Sequence, residues 1–317
     1  MVRLAEQNCD RDSTISAVSG AKTTGAPAPE ALPCGALNFA AQTLSSKPMR
    51  ITFTKMNGAG NDFILLDNRS GNIQLTASDV IRLCDRHRGI GADGVLILVP
   101  GPAGGPDWAW EFYNSDGSAA GMCGNGARCF ARFVNRVTGA GPEIKFATGA
   151  GLIRAVIKGE KVTVDLTPPR DYRPNVKLSL TSGSCEAHSI NTGVPHAVVF
   201  VADVSTVPVA RLGAEIRRHP EFAPAGTNVN FVQILEPGYI RVRTFERGVE
   251  GETLACGTGV SASALVCAMT KGFASPVKVK VQGGDTLEVA FESNAGGFRK
   301  VSLTGPAEFV FDGQIEL

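Results

Sequence analysis

Two stretches of this 317-residue chain, EFYNSDGSAAGMCGNGARCFA at residues 111–131 and RTFERGVEGETLACGTGVSASA at residues 243–264, align without a gap at an offset of 133 residues, the separation of Cys123 and Cys256. Phe112 falls on Phe245, Gly124 on Gly257 and Gly126 on Gly259. The upstream loops GAGNDFILLD and TGVPHAVVF keep the same offset, with Gly60 falling on Gly193. A single Cys-Gly-x-Gly coincidence carries little weight. Two separate loops in one register indicate a duplicated unit, with one cysteine from each copy. Two similar units facing each other across a cleft would set these cysteines on opposite sides of a ligand.

The pattern on either side of each cysteine gives the fold class. Ala127, Phe130, Ala131, Val134 and Val137 recur at helical spacing, and Gly139 ends the run. LACGTGVSASALVCAMTKG is apolar nearly all round and reads as a core helix. Thr76 and Asp79 make a capping-box start to a helix whose stripe is Val80, Ile81, Leu83 and Cys84, with Gly89 as its stop. A further helix is expected near Val209–His219. Short strands fill the rest, among them GVLILVP, IKFATG, LIRAVIKG, KVTVDLTPP, VKVKV and LEVAF. Many strands, few helices and no βαβ rhythm predict an α+β protein. Its two pseudo-symmetric domains would each be a mostly antiparallel sheet or barrel around a central helix, with the active site in the cleft between them. The Pro-rich stretch from Pro168 to Pro174 is a candidate boundary. The expected division is a flexible extension at 1–48, one domain at 49–166 plus 303–317, and the other at 167–302.

Composition removes several classes of function. A net charge of +1 gives no electrostatic reason to expect nucleic acid or anionic membrane as a partner. No apolar run reaches the roughly 20 residues that span a bilayer as a helix. The 8 cysteines include no CxxC pair and the 4 histidines are scattered, so neither a structural zinc nor a disulfide framework is expected. The first 48 residues are rich in Ala, Ser, Thr, Gly and Pro, without a signal-peptide core. Glu6, Asp10 and Asp12 sit badly in a transit peptide, so a cytoplasmic location is expected, with the plastid stroma as the alternative.

Cys123 and Cys256 each precede a Gly-x-Gly that opens a helix. Free N–H groups and the positive dipole end lie there, which favours a thiolate and holds an anion such as an α-carboxylate. Helix starts of this kind can lower a thiol pKa by several units. A thiolate on one face of an α-carbon and a thiol on the other form a base and acid pair for inverting it, with neither cofactor nor metal. Cys84, Cys129 and Cys267, inside apolar stripes, read as small buried hydrophobes.

NGAGNDFILLDN, RHRGIGADGVLIL, FYNSDGSAAGMCGNGARCFARF, TGVPHAVVF, GTNVNFVQ and FERGVEGETLACGTGVSA, in this order from Met49 onward, together resemble the diaminopimelate epimerases. The resemblance implies pyridoxal-independent interconversion of LL- and meso-2,6-diaminopimelate for lysine and peptidoglycan precursors, and a homodimer. It implies Cys123 and Cys256 as the acid and base, and His196 and Glu246 as residues that modulate the thiols. Asn61, Asn114, Gly124, Asn125, Asn228, Glu246, Arg247, Gly257 and Thr258 would bind substrate. Two positions depart from the family pattern: Gly94 and Val194 stand where many members carry amide side chains. A proline or hydroxyproline racemase, or a non-catalytic thiol or ligand-binding module, is the alternative reading of the same residues.

Overall fold

In the computed structural model, which describes residues 49–294 and 297–317, the elements of the first copy recur in the second at or close to the 133-residue offset. Strand β1 (Arg50–Gly58) corresponds to β9 (Gly183–Asn191), and β2 (Asn61–Asp67) to β10 (Pro195–Phe200). Helix α1 (Ala77–Cys84) corresponds to α3 (Val209–Arg217), β3 (Gly94–Pro100) to β11 (Asn228–Glu236), and β4 (Trp108–Asn114) to β12 (Tyr239–Glu246). Helix α2 (Gly124–Thr138) corresponds residue for residue to α4 (Gly257–Lys271). Then β5 (Glu143–Thr148), β6 (Gly151–Lys158) and β7 (Lys161–Asp165) match β14 (Val277–Lys280), β15 (Thr286–Asn294) and β16 (Gly297–Pro306). The register is duplicated as well, since Leu96 pairs with Phe112 and Val229 with Phe245. The expectations placed on residues 1–48, including Cys9 and Cys34, fall outside the described residues.

Pairing runs through the first half from β1 in the order β1–β2–β3–β4–β5–β6–β7. It runs through the second as β9–β10–β11–β12–β14–β15–β16, with β13 (Gly251–Thr253) also on β12. One further strand extends each. β8 (Arg170–Leu180) pairs with β9, and β17 (Glu308–Glu316) takes the same place beside β1. The last strand of the chain therefore belongs to the first half, and β16 pairs with β7 where the halves meet.

The sheet is mixed. β2–β3, β4–β5, β10–β11 and β12–β14 are parallel. Each of these pairs is joined by a connection that carries one α-helix, because parallel neighbours need a crossover. The βαβ units absent from the sequence reading are thus present. Their short strands alternate with hairpins, and this masked the rhythm.

α2 and α4 supply the centre of the core. On α2, Ala127, Cys129, Phe130, Ala131 and Val134 are fully buried, and Gly139 ends the helix in the left-handed region at φ 69°. Ala262, Ala264, Leu265, Val266 and Cys267 of α4 are likewise buried, and Gly272 caps it at φ 66°. Cys84, Cys129 and Cys267 behave as packing residues, their thiols pushed up to about 12 by burial.

Two local readings change. Thr76 and Asp79 do form a capping box, but α1 ends at Cys84 rather than running on to Gly89, and Ile81 is 48% exposed while Val80, Leu83 and Cys84 face the core. Gly89 instead sits in a turn, its N–H donating to the Asp85 carbonyl. The Pro-rich stretch leads into a strand. Pro174 lies within β8, which pairs only with β9 in a broken register, and an edge strand is where a strand proline is tolerated.

Candidate active site

The two cysteines are the N-caps of α2 and α4, in extended backbone conformation. The helix starts abut. A Cβ on Gly257 would lie 3.6 Å from the Gly124 Cα and 3.4 Å from Asn125 Oδ1. Leu303 fills the space beside both glycines. The flanking loops meet as well: Leu254 packs on Gly60, whose φ of 89° and lack of Cβ permit the approach, and the Gly283 N–H donates to the Leu254 carbonyl at 2.9 Å. Two positive helix ends thus converge on one place, an arrangement suited to an anion between them.

Around Cys123, the Gly126 N–H points at Sγ at 3.4 Å, and the thiol donates to Asn61 Oδ1 at 3.5 Å. Asn61 is held from behind, its Nδ2 donating to Asp93 Oδ2 at 2.6 Å. Asp93 in turn is bound by Arg86, which also forks onto Asp62 at 2.9 and 2.8 Å. The buried Lys55 ammonium is 2.7 Å from Asp62 Oδ2, an oxygen it shares with Arg86. Although burial opposes ionisation of Asp62, the hydrogen bonds from Arg86 and Lys55 prevail and hold its carboxyl at about 2.

Around Cys256 the surroundings differ. Its Sγ lies 3.5 Å from Thr258 Oγ1, and Thr258 is tied to the Thr192 hydroxyl through its carbonyl at 2.9 Å. Burial raises the pKa of the Glu246 carboxyl, which accepts a hydrogen bond from the Thr253 hydroxyl and lies close to Cys256. His196 is fully buried, with Nδ1 3.1 Å from the Asn230 amide and Nε2 without a partner among the described residues. Burial, helped by the nearby Arg247 charge, pushes this imidazole down to about 3, so it is neutral at ordinary pH. Asn228 accepts from the Arg247 backbone N–H at 2.9 Å and donates to the Pro195 carbonyl at 3.1 Å, which joins the GVPH loop, β11 and the FERG turn.

The thiols themselves titrate upward rather than downward. Burial is the largest influence on both and outweighs the helix-start N–H groups, contrary to the expectation drawn from helix ends alone. The two are not equal. Cys256 is raised well above the usual thiol value because the Glu246 carboxyl adds to burial. Cys123 is half-buried and gains from the Gly126 and Asn125 N–H groups.

Of the residues expected at the site, Cys123, Asn61, Gly124, Asn125, Cys256, Gly257 and Thr258 gather at the helix starts. His196, Asn228, Glu246 and Arg247 form the neighbouring wall of the second half. Asn114 stands at the end of β4 opposite Gly94, its amide turned to Ser118 Oγ at 3.0 Å. Gly94 is closely walled, since a Cβ there would sit 2.6 Å from the Tyr113 carbonyl oxygen. No side chain fits at position 94 without a backbone shift. Val194 is the counterpart of Asn61 at the 133-residue offset, so the second copy has no amide facing its thiol from that loop.

Asp93, Asn230, Thr192 and Thr253 were not singled out from sequence. Asn230 carried a usable signal. Asn228 and Asn230 occupy the same face of a strand in an otherwise apolar run, and two buried amides on one face must have partners. A Cβ on Gly259 would lie 2.2 Å from Asn230 Oδ1 and 3.3 Å from Cys256 Sγ, so that glycine lets the amide pack behind the thiol.

Comparison with known proteins agrees with this arrangement. The family model described as diaminopimelate epimerase matches residues 53–171 and 188–310. The diaminopimelate epimerase of Aquifex aeolicus (strain VF5) is 45% identical over 277 residues, covering 83% of this chain and 97% of that protein. That of Hydrogenobaculum sp. (strain Y04AAS1) is 41% identical over 275 residues, covering 83% and 97%. Among solved structures, a probable proline racemase from Agrobacterium radiobacter K84 superposes with a TM-score of 0.64 at 20% identity, covering 84% of this chain and 92% of its own, a likeness of fold. By motif, by identity over most of its length and by the paired cysteines at its duplicated helix starts, the chain belongs to the diaminopimelate epimerase family.

Proposed function

We propose that the protein interconverts LL- and meso-2,6-diaminopimelate by moving the α-proton between Cys123 and Cys256. The observation that carries this reading is the meeting of two cysteine-capped helix starts, Gly124 against Gly257, from the two copies of one repeat. The α-carboxylate lies between the helix ends and takes hydrogen bonds from their free N–H groups, which also offset the charge that spreads onto it as the carbanion forms. One thiolate removes the proton from one face, and the opposite thiol delivers a new one to the other. In the reverse direction the roles exchange, and the closed, buried setting keeps the carbanion from water.

The remaining roles follow from position. Asn61, Gly124, Asn125, Gly257 and Thr258 bind the reacting amino-acid head, and Asn114, Asn228, Glu246 and Arg247 serve the rest of the substrate. His196 and Glu246 set the thiol environment in the second half. Residues 49–166 with 303–317 form one domain and 167–302 the other, and the enzyme acts in the cytoplasm as a homodimer. The test is proton exchange. LL-diaminopimelate incubated with the enzyme in heavy water, with no pyridoxal added, exchanges its α-hydrogen and yields the meso isomer. Absence of both exchange and meso product would refute the reading.

The unequal thiols give a separate expectation. Glu246 raises both thiols, but for Cys256 it is the main influence after burial, whereas at Cys123 the Gly126 and Asn125 N–H groups outrank it, so the Cys123 thiolate forms first as pH rises. Iodoacetamide followed by peptide mass spectrometry should find Cys123 alkylated at lower pH than Cys256. The reverse order would mean that the Glu246 carboxyl does not control the pair.

A further inference from the structure

We propose that Arg128 is a positioning residue of this site: it fixes the carboxamide of Asn125, and through that amide the relative placement of the two thiol-bearing helix starts. The inference rests on Cys123 and Cys256 being the acid and base.

Arg128 opens the second turn of α2 and is fully buried. Its hydrogen bonds all go to neutral oxygens: Nε to the Pro306 carbonyl at 3.1 Å, Nη1 to the Gly124 carbonyl at 3.2 Å, and Nη2 to the Gly58 carbonyl at 3.4 Å and Asn125 Oδ1 at 3.0 Å. It therefore ties β1, the start of α2 and the end of β16 to one rigid fork.

Asn125 is the point through which this fork reaches both thiols. A guanidinium has only donors, so the amide oxygen must face it. The amide nitrogen is then turned the other way, donating to the Ala255 carbonyl at 3.0 Å and to Asn61 Oδ1 at 3.3 Å. Ala255 is the residue before Cys256, and Asn61 Oδ1 is the acceptor of the Cys123 thiol. Arg128 is the donor that holds the oxygen end of this amide; without it only the nitrogen end is anchored, and a buried carbonyl oxygen is left without a partner. A turned-over amide would set its oxygen against the Ala255 carbonyl, acceptor against acceptor, and the contact between the copies would open. The guanidinium charge also sits behind Cys123 and favours its thiolate.

The second copy shows that a helix of this kind can be built without the pair. Position 128 corresponds to Ser261, which satisfies the equivalent Gly257 carbonyl with a hydroxyl at 3.0 Å, and position 125 corresponds to Thr258. The Arg128–Asn125 pair belongs to the junction between the copies.

The test uses the full-length enzyme and its Arg128→Met and Arg128→Lys variants. Read-outs are thermal unfolding, kcat and KM with LL-diaminopimelate, and the pH midpoint of Cys123 alkylation without substrate. Arg128→Met should lower kcat about 100-fold with KM changed less than about threefold, and should raise the alkylation midpoint. Arg128→Lys keeps the charge but cannot fork onto two oxygens, so it should recover the midpoint while kcat stays at least about tenfold low. Full kcat in either variant overturns the proposal. So does a loss of activity that merely tracks the loss of folded protein, with the midpoint unmoved. If Arg128→Met does not fold, Arg128→Lys decides alone by the same criteria. Should the wild-type enzyme fail to epimerise diaminopimelate, the alkylation midpoints still report whether Arg128 acts on Cys123, which separates the two failures.

Discussion

Cys123→Ala and Cys256→Ala are each expected to lower epimerisation by at least roughly 10²–10⁴-fold, the range over which a positioned acid or base acts. The two losses should not be alike in kind. With one thiol left, the enzyme still has a base on one face of the α-carbon and lacks the acid opposite. It can take the proton from one stereoisomer and return a solvent-derived one to the same face, without inversion. In heavy water, one variant should therefore wash deuterium into the LL isomer and the other into the meso isomer, each without forming the partner. Both side chains are small and sit at helix N-caps, so alanine leaves little strain and both variants should remain folded. Proton NMR of the α-position reads the exchange, and chiral chromatography the product. Equal exchange of both isomers by both variants would exclude a division of labour between the thiols.

A second large effect concerns acid stability and comes from His196. The imidazole titrates at about 3 in the folded protein against 6.5 for the ordinary group. The unfolded chain therefore binds the extra proton throughout that window and the native state does not. The contribution to stability is complete above pH 6.5 and is lost as pH falls toward 3. Between pH 7 and pH 4.5 the loss amounts to roughly 2–3 kcal/mol. The natural control is His196→Phe, because the equivalent residue of the first copy is Phe63, fully buried against Gly126. Urea unfolding at the two pH values should show the wild type losing that much more stability than the variant. Parallel losses would mean that His196 is solvated and titrates normally.

The residues that revealed the fold were those whose job is local. Gly139, Thr76 with Asp79, and the matched Cys-Gly-x-Gly loops signal a cap, a capping box or a close backbone approach wherever they occur, and the structure has each of them. The duplication then carried the architecture, because one offset places nearly all the strands and both helix pairs. Features that depend on distant neighbours were harder to read. The parallel pairings of β2 with β3 and β4 with β5 depend on which strands neighbour after the crossovers, and hydrophobic periodicity does not report neighbours. Ile81 fits its helical stripe yet faces outward, since the sheet covers only part of that face.

The same division holds at the site. The cysteines were legible from context within a few residues, and the family motifs named the loops around them. Asp93 and Arg86, which brace Asn61, come from a turn and from the segment after α1. Their role arises only when those loops meet. The direction of the thiol shifts was also beyond sequence, because burial depends on what the other copy lays over each cysteine. Asn61 and Val194 occupy equivalent positions with different chemistry, so the duplicated frame holds two unequal thiols.

The placement of β17 beside β1 has a consequence for how the enzyme is made. During synthesis, residues 50–165 emerge with both edges of their sheet unpaired, and the strands that cover them, β17 on β1 and β16 on β7, are the last to leave the ribosome. The early half must wait, its β1 edge open, until the later half has been translated. A chain truncated before residue 308 would keep both cysteines and still leave that edge bare. Such a fragment is a target for chaperones or for pairing with another nascent chain. The pairing of β17 with β1 thus makes the closing of the first sheet wait for translation of the second half.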